Sequence, residues 1–228
     1  MAWGRKIVAL GAGLFFGSLA GFLSANSLNY NAPRVASPAA TPALSPDEIK
    51  RAIAVADARP DDVAMQRKLG LGLYGYAQTA AAPDYLPDVA RLLARAHEAD
   101  KSDREVAFAL GNTLLALARQ GDANRLAEAR RAFTQLLAQQ PDDPDARVAL
   151  GLTYLFAQPP QNQTAVAEFR RARNLNPQHE GALQGLALAL FALKKCDEEA
   201  TNLVAELARL NPDNPALPDL RRRVCPQT

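Results

Sequence analysis

Two cysteines and two histidines are the residues of this chain best suited to redox, metal or nucleophilic chemistry. Cys196 and Cys225 stand 29 residues apart, which excludes a Cys-x-x-Cys redox pair and the clustered spacings of zinc sites. His97 and His179 have no partner at ligand spacing, so both read as surface or packing histidines. The run GLGLYG at positions 70 to 75 resembles a phosphate loop only in its glycines. It lies inside a helix-period pattern, where those glycines are expected to permit close packing. No G-x-S-x-G or Walker-type stretch occurs. Acidic pairs such as Asp142–Asp143 sit just before helical patterns and read as N-cap and first-turn residues. The sequence therefore predicts no enzyme, no cofactor and no metal.

Elements must then be sought for some other task. The 228 residues are 48% hydrophobic and 22% charged, enough for a sizeable core. A formal charge of +2 falls short of the basic excess of a nucleic-acid binder, so no nucleic acid is expected as a partner. Arg130–Arg131, Arg170–Arg171 and Arg221 to Arg223 lie beside apolar residues in helical patterns and read as solvated helix faces.

After residues 1–6, which are expected to stay in the cytoplasm, positions 7–25 carry no charge. As a helix this run is about 28 Å long, close to the hydrocarbon thickness of a bilayer. Arg5 and Lys6 on its N-terminal flank predict that the rest of the chain crosses to the far side. A cleaved signal peptide is the competing reading, because SLA at 18 to 20 has the small-x-small form. Gly13, Gly17 and Gly21 share one face of such a helix, a seam for a homodimer or simply the glycine content usual in membrane helices. Residues 26–45, rich in Ala, Pro, Ser and Asn, form a tether. Ser45 as N-cap, Pro46 in the first turn and the apolar Ile49, Ile53 and Ala56 predict a capping helix within 46–59.

The remainder repeats. Phe133, Phe169 and Val204 each precede by eight residues a proline, Pro141, Pro177 and Pro212, and these prolines lie 36 and then 35 residues apart. Leu69–Gly70, Leu110–Gly111, Leu150–Gly151 and Leu186–Ala187 fall upstream in a preceding helical pattern, and Ala129, Ala165 and Ala200 recur in the second. These residues resemble the tetratricopeptide repeat (TPR) family, whose unit is a pair of antiparallel helices. The resemblance implies an all-α superhelix of four pairs, at 60–101, 102–141, 142–177 and 178–212, with a C-terminal capping helix in 213–228. Small residues are needed where helices approach, a large apolar residue fills the gap beside them, and proline stops the second helix.

The family's inner groove is lined by the first helices of the pairs. Carried over by repeat position, it comprises Arg67, Leu71 and Tyr74; Phe108, Asn112 and Leu115; Val148, Leu152, Leu155 and Phe156; and Gln184, Leu188 and Phe191. Most are apolar, which suits an amphipathic helix or extended apolar peptide of a protein partner. The set does not resemble the Lys/Asn/Arg clamp with which cytosolic co-chaperone TPRs hold a C-terminal carboxylate, since only Asn112 fits it. A second reading places several of these residues in the core or beneath the tether. In the same frame a capping helix antiparallel to the last second helix would return Cys225 near Cys196, for a disulfide outside the cytoplasm or two idle thiols.

Anchor, tether and repeats together resemble bacterial envelope TPR proteins, among them assembly factors of cytochrome c maturation. The resemblance implies a single-pass protein of the bacterial inner membrane with its repeats in the periplasm, acting as an adaptor or chaperone-like factor. Two other classes stay open: a structural scaffold without groove recognition, and a thiol oxidoreductase using Cys196 and Cys225, which would need a low-pKa exposed thiol.

Overall fold

The computed structural model describes residues 45–79, 82–194 and 197–224, apart from the side chain of Thr79. The expected membrane anchor with Gly13, Gly17 and Gly21, the tether before Ser45, and both Cys196 and Cys225 lie outside the described residues. Among the described residues no helix is long and apolar enough to cross a membrane. There are ten α-helices and no strand among them: α1 Pro46–Asp57, α2 Val63–Thr79, α3 Leu86–Ala99, α4 Arg104–Arg119, α5 Asn124–Gln139, α6 Pro144–Leu155, α7 Asn162–Leu175, α8 Glu180–Ala192, α9 Glu198–Leu210 and α10 Leu217–Arg223.

Local chemistry sets the helix ends. Ser45 and Glu48 form a reciprocal capping box at the start of α1, with Pro46 in the first turn, where its missing N–H costs nothing. Asp103, Asp143 and Asp197 accept from the backbone N–H of Val106, Ala146 and Ala200 at 3.1, 3.0 and 3.1 Å. Each such cap contributes about 1 kcal/mol. His179 does the same for α8 through Nδ1, which accepts from the Ala182 N–H at 3.2 Å. Pro141, Pro177 and Pro212 follow the ends of α5, α7 and α9, because a residue before proline disfavours helical backbone. Gly121, at φ 118°, makes the left-handed turn between α4 and α5.

Helices α2/α3, α4/α5, α6/α7 and α8/α9 pack in pairs, and each second helix also packs on the next first helix. The repeated small and large residues meet at these contacts. Phe133 is fully buried against Gly111, where a Cβ would come to 2.6 Å of its ring. Phe169 is fully buried between two glycines: a Cβ would come to 2.8 Å of its ring at Gly151 and 2.4 Å at Gly185. Ala129, Ala165 and Ala200 are fully buried. One apolar core runs from Ile49 in α1 to Leu220 in α10, as expected for stacked pairs that cannot bury their own stripes alone.

The expectation that the glycines of GLGLYG all serve close packing needs correction. Only Gly70 does, its Cβ position lying 2.8 Å from Leu93; at Gly72 and Gly75 a Cβ would meet nothing within 4 Å. Leu93 is held inside the first pair, whereas the other two glycines look away from it.

Polar contacts also tie successive pairs. Arg67 in α2 donates to Asp103 at 2.6 Å and to Glu105 at 2.7 Å. Arg104 in α4 repeats this one pair later with Asp143 at 2.7 Å and Asp145 at 3.4 Å. His179 Nε2 then lies 2.9 Å from Asp145, and Glu180 accepts from Asn211 at 2.8 Å and Asn214 at 3.1 Å. Because Nδ1 of His179 is an acceptor, the ring proton sits on Nε2 and faces Asp145. Helices α4, α6 and α8 are thus each capped by a residue that also binds the preceding first helix.

Candidate peptide-binding groove

Residues four, three and four apart share one helix face, and the first helices carry such a stripe. On α2 it runs through Arg67, Leu71, Tyr74 and Gln78, and on α4 through Phe108, Asn112, Leu115 and Arg119. On α6 it runs through Val148, Leu152 and Leu155 with Phe156 at the helix end, and on α8 through Gln184, Leu188 and Phe191. Consecutive first helices touch one another directly, so the stripes lie side by side.

Their exposure is uneven. Leu71, Tyr74, Phe108, Leu155, Phe156 and Phe191 are half-buried and pack against the core on one side only. Leu115 and Val148 are fully buried, Leu152 and Gln184 are 1% exposed, and Asn112 and Leu188 are 8% exposed. The burial of these six is in keeping with the reading that places several of the stripe residues in the core. Arg67 is half-buried, but its guanidinium is engaged by Asp103 and Glu105, so it joins pairs rather than waiting for a ligand.

Polar groups on these stripes include the following. The Asn112 amide donates to the Tyr74 hydroxyl at 3.2 Å, and burial pushes the Tyr74 phenol up, which keeps it neutral. Gln184 has its Nε2 buried without a hydrogen-bond partner. Arg119 lies with its guanidinium 5.6 Å from the centre of the Phe156 ring; its Nε is buried without an acceptor, and burial pushes its pKa down. Sequence reasoning missed Arg119, although it continues the series 108, 112, 115 by one more turn of α4.

The basic clusters face solvent as expected, with one inward contact. Arg170 pairs with Glu199, Arg171 with Glu168, and Arg222 and Arg223 with Asp219. Arg130 turns onto the Tyr154 ring at 4.3 Å and donates to the Thr153 carbonyl at 3.0 Å. His97 is buried in α3 and His179 caps α8. Among the described residues no three His, Cys, Asp or Glu side chains gather where a metal could sit. A shallow depression is lined by Arg104, Gln140, Pro141, Asp142, Asp143 and Pro144, and within it Arg104 pairs with Asp143.

No family model matches this chain, and no curated protein sequence does. Solved structures match it at the level of fold. MamA aligns at 20% identity over 72% of this chain and 87% of its own, with a TM-score of 0.55. YrrB, described as a TPR protein with an unusual peptide-binding site, aligns at 14% identity over 77% and 84%, with a TM-score of 0.58. TTC0263, a thermophilic TPR protein of Thermus thermophilus, aligns at 16% identity over 78% and 87%, with a TM-score of 0.56. Likeness at these identities speaks for architecture alone: the described part of the chain is an all-helical superhelix of TPR type.

Proposed function

We propose that this chain is a non-enzymatic protein–protein interaction module that holds an apolar or amphipathic peptide segment of a partner along the first helices of its repeats. The observation that carries this reading is the row of half-buried apolar and aromatic side chains, Leu71 and Tyr74 on α2, Phe108 on α4, and Leu155 and Phe156 at the end of α6. Side chains of this kind lose water on contact at little conformational cost, which suits them to recognition. The peptide-binding site ascribed to YrrB, a structure of similar fold, supports the same use of this architecture.

In this reading residues 7–25 anchor the protein in a bacterial inner membrane, and the charge pattern of Arg5 and Lys6 supports a periplasmic position for the repeats. Gly13, Gly17 and Gly21 support a homodimer through the anchor, and an oxidising compartment would favour a disulfide between Cys196 and Cys225. Apocytochrome handling in cytochrome c maturation is the specific assignment that the order of anchor, tether and repeats suggests.

The test is crosslinking and pull-down from the native membrane with the wild type and with Leu71→Arg plus Leu155→Arg. Both positions are half-buried, so the variant keeps its helical content, checked by circular dichroism. A partner captured by the wild type and lost by the variant supports groove recognition, and its identity gives the pathway. The same partners with both proteins would replace it by a scaffold that acts through other surfaces.

A further inference from the structure

Arg119 differs from every other half-buried arginine among the described residues. The others each reach an Asp or Glu, except Arg130, which donates to the Thr153 carbonyl oxygen. Arg119 has the Phe156 ring alone, and its Nε–H is shut off from solvent with no acceptor. A buried donor left unsatisfied costs about 1–3 kcal/mol, and more on a charged group. Arg119 thus brings to the binding stripe a half-buried charge for which no described residue supplies an acceptor. Residues 1–44 contain neither Asp nor Glu, so no side chain in that stretch can supply a carboxylate either.

The geometry points to a specific ligand feature: an Asp or Glu side chain, set among large apolar residues of a partner peptide, that pairs with Arg119. This rests on the groove reading above and narrows it. A guanidinium lying near an aromatic ring keeps its N–H edges for planar, bidentate pairing with a carboxylate. Apolar surroundings strengthen that pairing and also favour apolar neighbours in the ligand. An internal acidic side chain fits better than a chain terminus, because the several donors that hold a terminal carboxylate are missing: Arg67 is paired, and Asn112 donates to Tyr74.

The test uses the full chain in detergent and a soluble library of short random synthetic peptides, with Leu71→Arg plus Leu155→Arg as counter-target. Peptides that bind the wild type and not the counter-target are expected to carry Asp or Glu beside Leu, Ile, Phe or Met. Changing that acid to Asn or Gln should then weaken binding to the wild type by about tenfold or more, the loss of one hydrogen-bonded charge. On Arg119→Gln, with helical content confirmed, the acidic and amide forms should bind within about twofold of each other, since the coupling partner is gone. Amidating the peptide C-terminus should change nothing; a loss there instead would overturn the side-chain assignment. Groove-dependent peptides without acidic enrichment, or an equal acid-to-amide loss on Arg119→Gln, would overturn the inference and leave the groove reading standing. Peptides that bind the counter-target as well as the wild type, or no binding peptides at all, would overturn both.

Discussion

Helix α2 buries Gln66, Gly70, Leu73 and Ala77, a single inward stripe, whereas α8 buries every residue from Gly181 to Leu190. Both are first helices of their pairs, yet α2 touches α1, α3 and α4, while α8 is enclosed by α6, α7, α9 and α10. Composition follows the surroundings. The α8 stretch GALQGLALAL is apolar nearly all round, as a helix buried on every side must be, while α2 carries Arg67, Lys68 and Gln78 among its apolar residues. Glycine serves opposite ends in the two helices. Gly185 admits the Phe169 ring, but Gly72 and Gly75 border open space. Equal places in a repeat thus have unequal surroundings: α8 is enclosed along most of its length, and α2 buries one stripe only.

Substitutions at matching places sharpen this contrast. The largest difference is expected between Leu71 and Leu152, which hold the same repeat position, one half-buried and the other 1% exposed. Leu152→Arg would force a charge into the core and should cost more than about 4 kcal/mol, enough to abolish cooperative unfolding, whereas Leu71→Arg should cost about 1 kcal/mol or less. Urea denaturation of the two single variants checks this, and equal losses would break the comparison. Phe169→Ala comes next, at about 3–5 kcal/mol, because it empties a site packed between two glycines.

Smaller effects of opposite sign are expected at the glycines. Gly185→Ala drives a methyl group into the buried Phe169 ring and should destabilise by about 1–3 kcal/mol. Gly72→Ala adds a methyl in open space and should stabilise α2 by about 0.5–1 kcal/mol through the better helix propensity of alanine. Thermal melts of the pair read both signs at once.

The smallest effect separates the caps. Burial opposes the charge of Asp103, but hydrogen bonds from the Arg67 side chain and the Val106 backbone outweigh it and hold the carboxyl below its usual range. Because the folded pKa is depressed, this contribution is fully present above the unfolded value of about 3.9 and is lost as pH falls through the folded value. Acid therefore loosens the junction of α2 with α4. Asp103→Asn should reduce the loss of stability between about pH 5 and pH 2, measured as the change in urea midpoint.

Much of the architecture could be read from residue types alone, because the contacts that build it are steric. A glycine that meets a phenylalanine ring, an alanine with no exposed surface and a proline after a helix each leave a fixed residue at a fixed spacing. Gly151, Phe169, Ala165 and Pro177 are such marks. The groove was legible only in part. Spacing identifies the face on which Leu71, Leu152 and Leu188 lie, but a helix face covered by the next first helix has the same period as one facing a ligand. The fate of Arg67 was hidden for a related reason: its partners Asp103 and Glu105 come from the following pair, at a distance in sequence that no local pattern reveals. Arg119 escaped notice because the family's groove positions end one turn earlier, and only its contact with Phe156 and its unsatisfied Nε single it out.

The most direct test of the account is photocrosslinking with a benzoylphenylalanine placed singly at Leu71, Phe108 or Leu155 in the full chain, with exposed Leu175 as the control. The account predicts that one partner is captured from all three first-helix positions and not from Leu175. Capture from Leu175 alone, or equally from all four, would contradict it and move recognition away from the first helices.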